Sequence, residues 1–151
     1  MIQSFYLGMK LPSLNEFIDD NRTSWKAGSS SKKQVEKDIL WLLKAQNLKP
    51  IKHPVHMTFT WFEQHKQRDK DNVAFAKKYI LDALQKAEIL PNDNNKYILG
   101  FSDQFIYDGK TWGVRVTIDE IIDQKGETDG NKVQKPMESI SVPRRREGRS
   151  P

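Results

Sequence analysis

The stretch that most narrows what this chain can fold into runs from a strand-like segment, through five polar residues, into a helix-like one. His56-Met57-Thr58-Phe59-Thr60-Trp61-Phe62 is rich in β-branched and aromatic residues and predicts a strand. From Asn72 to Ala87, Val73, Ala76, Ile80, Ala83, Leu84 and Ala87 recur at helical spacing. Between the two stands Arg68-Asp69-Lys70-Asp71-Asn72, so two carboxylates one residue apart lie in a strand-to-helix connection. Two readings follow. Mg²⁺ takes oxygen ligands and is usually held by one or two carboxylates plus water and substrate phosphate, which suits metal-assisted phosphodiester cleavage. Asp and Asn are also favoured helix caps, and a polar run before a helix equally describes a solvated turn.

Composition bounds the partners. At 151 residues the chain suits one domain with a real core. Its 25 Lys and Arg against 20 Asp and Glu leave a formal charge of +5, which favours a polyanion such as nucleic acid. There is no cysteine, so disulfides and thiolate metal sites are excluded and a reducing cytoplasm is suited. Met1 to Lys10 lacks a basic region followed by a long apolar core, so no signal peptide is indicated. No apolar run approaches the roughly 18 residues of a membrane span. A soluble, cytoplasmic protein with no membrane association is expected.

Taken in order, Ile2 to Met9 reads as a first strand, and Ser13-Leu14-Asn15-Glu16 has the form of a capping box opening a short helix to Asp20. Asn21 to Ser31 lacks periodicity and predicts a mobile basic loop, with Arg22 and Lys26 as candidate DNA contacts. Ser31 to Gln46 carries Val35, Ile39, Leu42 and Leu43 as the buried stripe of a longer helix. On that helix Trp41 belongs either to the core or to a subunit contact. A proline-bounded linker, Lys49 to Pro54, leads to the strand from Val55 to Glu63. His53, His56 and His65 are not one helical turn apart, and alternation separates His56 from His65, so no zinc site is expected.

At about 100° per residue, Lys78 and Asp82 return to the azimuth of Asp71, whereas Lys77 points away. Lys78 then either neutralises charge at a scissile phosphate or forms a surface pair with Asp82. Ile89 to Asn95 is a turn dense in Asn and Asp; Tyr97 to Leu99 then open a strand that Phe101 to Tyr107 either continues or pairs with, before an Asp108-Gly109-Lys110 turn and a strand from Trp112 to Ile118. Asp93 can approach the helix only if a βαβ-like path folds the chain back. From Gln124 onward, through Pro136 and Pro143 to the Arg144-Arg145-Arg146 run, a basic disordered tail is predicted, leaving residues 1–123 as the domain.

The order Arg68-Asp69-Lys70-Asp71-Asn72, then Lys78 to Leu84, Lys86-Ala87, and Asn92-Asp93 before Lys96-Tyr97-Ile98, resembles the RusA family of Holliday junction resolvases, especially its phage-associated members. Leu11-Pro12-Ser13-Leu14-Asn15-Glu16 is similar to the family's Pro-Ser-x-Asn opening. The resemblance implies an α/β (α+β) fold, a small mixed sheet packed with two main helices. It also implies a homodimer that cuts four-way DNA junctions by paired nicks with Mg²⁺ or Mn²⁺, in recombination and repair. On it, the three essential acids and metal ligands fall on Asp69, Asp71 and Asp93, and the motif arginine on Arg68. The catalytic lysine of the best-known members falls on Phe75, and one added turn shifts that role to Lys78. Arg68, Lys70, Arg22 and Lys26 are then the DNA-binding candidates. Two other classes stay open: a non-catalytic nucleic-acid-binding module, and an interaction protein built on Trp25, Trp41 and Trp112.

Overall fold

Alternation along the central strand sets the architecture. In β2 (Val55–Glu63), Val55, Met57, Phe59, Trp61 and Glu63 are buried and the residues between them half-buried, so one face of the strand is turned into a core. β4 (Gly113–Glu120) repeats the pattern with Val114, Val116, Ile118 and Glu120, and β1 (Ile2–Leu7) with Phe5 and Leu7. The structure, a computed structural model, describes residues 1–23 and 25–122. The predicted tail from Gln124 lies outside those residues.

The four strands form one sheet in the order β1-β4-β2-β3, with β3 spanning Ile98–Tyr107. β1 and β2 both run antiparallel to β4, while β2 and β3 are parallel. A parallel pair needs a crossover, here α3 (Lys70–Ala74) and α4 (Lys77–Lys86). A βαβ path therefore exists, and Phe101 to Tyr107 continues the strand before it as one β3 rather than pairing with it. Mixed sheet and helices make an α+β fold. Ile39 and Leu43 of α2 (Trp25–Lys44) and Val73, Ile80 and Leu84 of the crossover join Phe5, Phe59 and Val116 in one buried cluster. Trp41 is 72 % exposed and takes no part in it. Among the described residues no helix is long and apolar enough to cross a membrane.

Among the described residues, the segment expected as a basic loop over Asn21 to Ser31 is helical. Asn21 and Arg22 lie in α1 (Leu14–Thr23), and Trp25 to Ser31 open α2. Serine and glycine disfavour helix locally, but packing overrides that preference. Gly28 is buried against Asn21 so closely that a Cβ there would lie 2.0 Å from Asn21 Oδ1. A larger residue there would have to displace the Asn21 side chain, and the Asn21 Cα lies 3.3 Å from the same point. Arg22 and Lys26 are both exposed, but on helices rather than on a loop.

Candidate active site

β2 delivers the chain to the site. Its last residue, Glu63, is 3 % exposed and occupies a core-facing position, and a carboxylate there needs a partner. Arg68 supplies it through a bidentate fork, Nε donating to Glu63 Oε1 at 2.9 Å and Nη2 to Oε2 at 2.7 Å. Arg68 Nη1 also donates to the Leu11 carbonyl and to Glu16 Oε1, each at 2.9 Å. Burial pulls the guanidinium pKa down, but hydrogen bonds and charge from Glu63, then Glu16, outweigh it and hold the pKa above its ordinary value.

The predicted capping box is present: Ser13 N–H donates to Glu16 Oε1 at 3.0 Å, and Glu16 N–H to Ser13 Oγ at 3.3 Å. Glu16 Oε1 thus accepts from both Ser13 and Arg68, joining the amino-terminal motif to the acidic one. Burial pushes the Glu16 carboxyl up, yet the Ser13 bonds and the Arg68 guanidinium prevail and hold it below its usual value. A depressed carboxyl stabilises the fold fully above its unfolded pKa, and loses that contribution as pH falls through the lower folded value. Glu16→Gln is therefore expected to cost about 1 kcal/mol at neutral pH, and to flatten the acid limb of a stability-versus-pH curve measured by urea unfolding.

Arg68 holds in place the segment that carries the acids. Asp69 sits at the N-cap of α3 with extended backbone, φ −69° and ψ 152°, but its side chain makes no cap hydrogen bond. The carboxylate is not spent on the helix. Asp71 stands in the first turn of α3, and both acids are exposed, with no ion pair to another described residue. Asp69 also lines a cleft of about 230 Å³ with Lys10, Asn15, Arg68 and Asn72. Two uncommitted carboxylates are a donor set suited to a hard cation such as Mg²⁺.

Asp93 is elsewhere. The Asn94 carbonyl accepts from the N–H groups of Tyr97 and Ile98, and Val55 N–H donates to the Tyr97 carbonyl at 2.7 Å. Asp93 therefore stands by the first residues of β2 and β3, whereas Asp69 and Asp71 follow the last residue of β2. Nine strand residues separate the two ends, about 26 Å at the usual rise. Among the described residues no three His, Asp or Glu side chains are grouped to hold a metal ion. The crossover brings Asp93 back to the sheet, but to its other end.

The lysines also differ from expectation. The crossover is not one helix: α3 ends at Ala74, and the N–H groups of Ala76, Lys78 and Tyr79 bond to carbonyls three residues back. Such tighter turns advance each residue by about 120°, so Asp71 no longer shares the azimuth of Lys78 and Asp82, which both lie on α4. Asp82 faces Lys32 of α2 at 4.0 Å rather than Lys78. Lys77, expected to point away from the Asp71 edge, faces the sheet: its Nζ donates to Asp103 Oδ2 at 2.8 Å and lies 4.4 Å from the Phe101 ring centroid. Lys78 is exposed, with no acidic partner among the described residues.

No family model matches the chain, and no curated protein matches it. The chemistry of the site rests on its own side chains. Among the DNA-binding candidates, Lys70 is exposed beside the two acids, and Arg22 lies six residues beyond Glu16, about 9 Å along α1. Sequence reasoning missed Lys10, Lys66 and Tyr107, which stand at the same end of the sheet. Their only sequence signal is the recurrence of basic and aromatic residues on either side of Asp69, from Lys10 to Trp112.

Proposed function

We propose that this protein is a divalent-metal-dependent endodeoxyribonuclease that resolves four-way DNA junctions as a homodimer, by paired nicks, in recombination or repair within the cytoplasm. The observation that carries this reading is the pair Asp69 and Asp71, exposed and, among the described residues, without a side-chain cap bond or ion pair, at the end of β2 beside lysines that there lack acidic partners. Mg²⁺ or Mn²⁺ held by this pair would supply a Lewis acid at the phosphate and a bound water of lowered pKa.

The remaining roles belong to the chain. Arg68 spends four of its five N–H donors on Glu63, Leu11 and Glu16, so it is a positioning residue for Asp69 rather than a grip on phosphate. Lys70 contacts the DNA backbone next to the acids, and Lys78 offsets charge developing on the scissile phosphate. Arg22 and Lys26 contact junction arms away from the cut. Asp93 completes the acidic set only from a second subunit, because its own chain places it at the far end of β2. Junction choice comes from the spacing of two sites, since phosphate contacts carry no sequence information.

A labelled four-way junction should be cut into paired nicked products with Mg²⁺ and left intact in EDTA, and sedimentation should give about twice the 17.6 kDa chain mass. Among the described residues no three acids are grouped to hold a metal ion, which favours, as a second reading, a module that binds nucleic acid without cutting it. Tight junction binding with no cleavage in either Mg²⁺ or Mn²⁺ would establish that reading instead. Lys78→Met is expected to slow cleavage about a hundredfold with unchanged thermal stability. Lys77→Met should instead lose its bond to Asp103 and cost about 2 kcal/mol of stability, read by urea unfolding. A larger cleavage defect in Lys77→Met than in Lys78→Met would exchange their roles.

A further inference from the structure

At the end of β2 the segment bearing Asp69 is held between aromatic rings. His65 meets the Trp112 ring edge-on at 5.3 Å, and the Arg68 guanidinium lies 5.4 Å from the same ring centroid. Lys66 and Lys70 lie 5.4 and 5.5 Å from the Tyr107 ring, and Lys70 also lies 5.7 Å from Phe105. Lys10 Nζ stands over Trp112 at 4.4 Å. These distances are within the range of cation–π attraction. Trp112, Tyr107 and Phe105 are only partly buried, unlike the core rings Phe5 and Phe59. Among the described residues, Lys10, Lys66 and Lys70 have no ion-paired carboxylate, whereas Lys32, Lys77 and Lys86 each have one. Lysines without an ion-paired carboxylate therefore collect where half-exposed rings do, on both sides of Asp69.

Resting on the nuclease reading above, we infer that this cluster is a nucleotide platform: Trp112 and Tyr107 stack an unpaired base, while Lys10, Lys66 and Lys70 hold the adjoining phosphates. Lys10, Lys66 and Lys70 are exposed, so an arriving base displaces an ammonium that turns to the phosphate. Positive charge with stacking rings is the usual means of gripping a single strand, and each stacked base adds about fivefold to a hundredfold to affinity. In a paired duplex the base faces are covered. The preferred substrate is therefore a branch point with unpaired nucleotides rather than a fully paired crossover.

The test measures binding of the full chain in EDTA by fluorescence anisotropy, with labelled oligothymidine, a paired duplex of equal length, and four-way junctions with and without unpaired thymidines at the crossover. Trp112→Ala is expected to weaken oligothymidine and unpaired-junction binding about tenfold and to leave duplex binding within about twofold, while Trp112→Phe keeps most of the preference. Lys66→Ala should weaken all four alike and reduce the salt slope by about one. Equal weakening of single strand and duplex by Trp112→Ala, or no weakening of either, overturns the platform and leaves a ring that merely fastens the loop. A Trp112-dependent preference in a protein that cuts no junction in Mg²⁺ keeps the platform and removes the nuclease reading. A wild-type chain that binds none of the four removes both.

Discussion

Asp69→Asn and Asp71→Asn are each expected to lower junction cleavage by at least about a hundredfold while leaving junction binding intact or stronger. Each change removes one negative ligand charge, keeps the side-chain volume, and breaks no hydrogen bond or ion pair, since neither carboxylate has one among the described residues. Thermal stability should not move. Cutting at the wild-type rate by both variants would discard the metal-site assignment. Asp93→Asn extends the test, because Asp93 lies at the opposite end of β2. If a partner supplies it, mixing Asp71→Asn and Asp93→Asn subunits rebuilds one intact site in each heterodimer. Random exchange should then restore about a quarter of the wild-type nicking sites. Two inactive variants that stay inactive when mixed would show that all three acids act within one chain. Asp93→Asn with full activity would remove it from the site.

Arg68→Met is expected to destabilise the fold by about 3–5 kcal/mol, the usual cost of leaving a buried charge without its partner. The partner is Glu63, whose side chain is 4 % exposed against 13 % for Arg68. The loss also releases the Leu11 carbonyl and Glu16, so the start of α1 and the loop carrying Asp69 loosen together. Thermal unfolding should shift down by roughly 10 °C or more. The double variant Arg68→Met with Glu63→Leu should recover much of the stability, because the unpaired charge is gone, yet it should not recover cleavage if Arg68 acts by placing Asp69. Arg68→Met with an unchanged melting temperature and weakened DNA binding would make this arginine a phosphate contact after all.

Local patterns marked many of the elements. The alternation of Met57, Phe59 and Trp61 located β2, because a strand with one buried face must repeat every two residues. Ser13 and Glu16 announced the helix start, since a capping box needs only residues three apart. Asp108-Gly109 marked its turn: Asp108 Oδ1 accepts from the Lys110 and Thr111 N–H groups, Gly109 takes φ +75°, and hydrogen bonding with Thr111 first holds the Asp108 carboxyl at about 2. The helix after Asp71 was legible as a helix, but the tightening near Ala76 was not. An apolar repeat fixes which residues face the core, and it is insensitive to a single turn wound at three residues instead of 3.6.

By itself, then, the sequence determined the strands, the cap, the turn and the exposed acidic pair, because each is settled by groups within a few residues of one another. Tertiary structure alone decided that Asn21, Arg22 and Trp25 to Ser31 would be helical, with Gly28 packed against Asn21 across two helices. It alone committed Arg68 to a carbonyl 57 residues away and a carboxylate 52 residues away, leaving Asp69 and Asp71 unencumbered. It also carried Asp93 to the far end of β2, because a parallel crossover returns the chain to the start of the next strand. Spacing along a chain records which residues can be neighbours in one element. Which end of a sheet they reach is set by strand direction, and strand direction is a property of the assembled sheet.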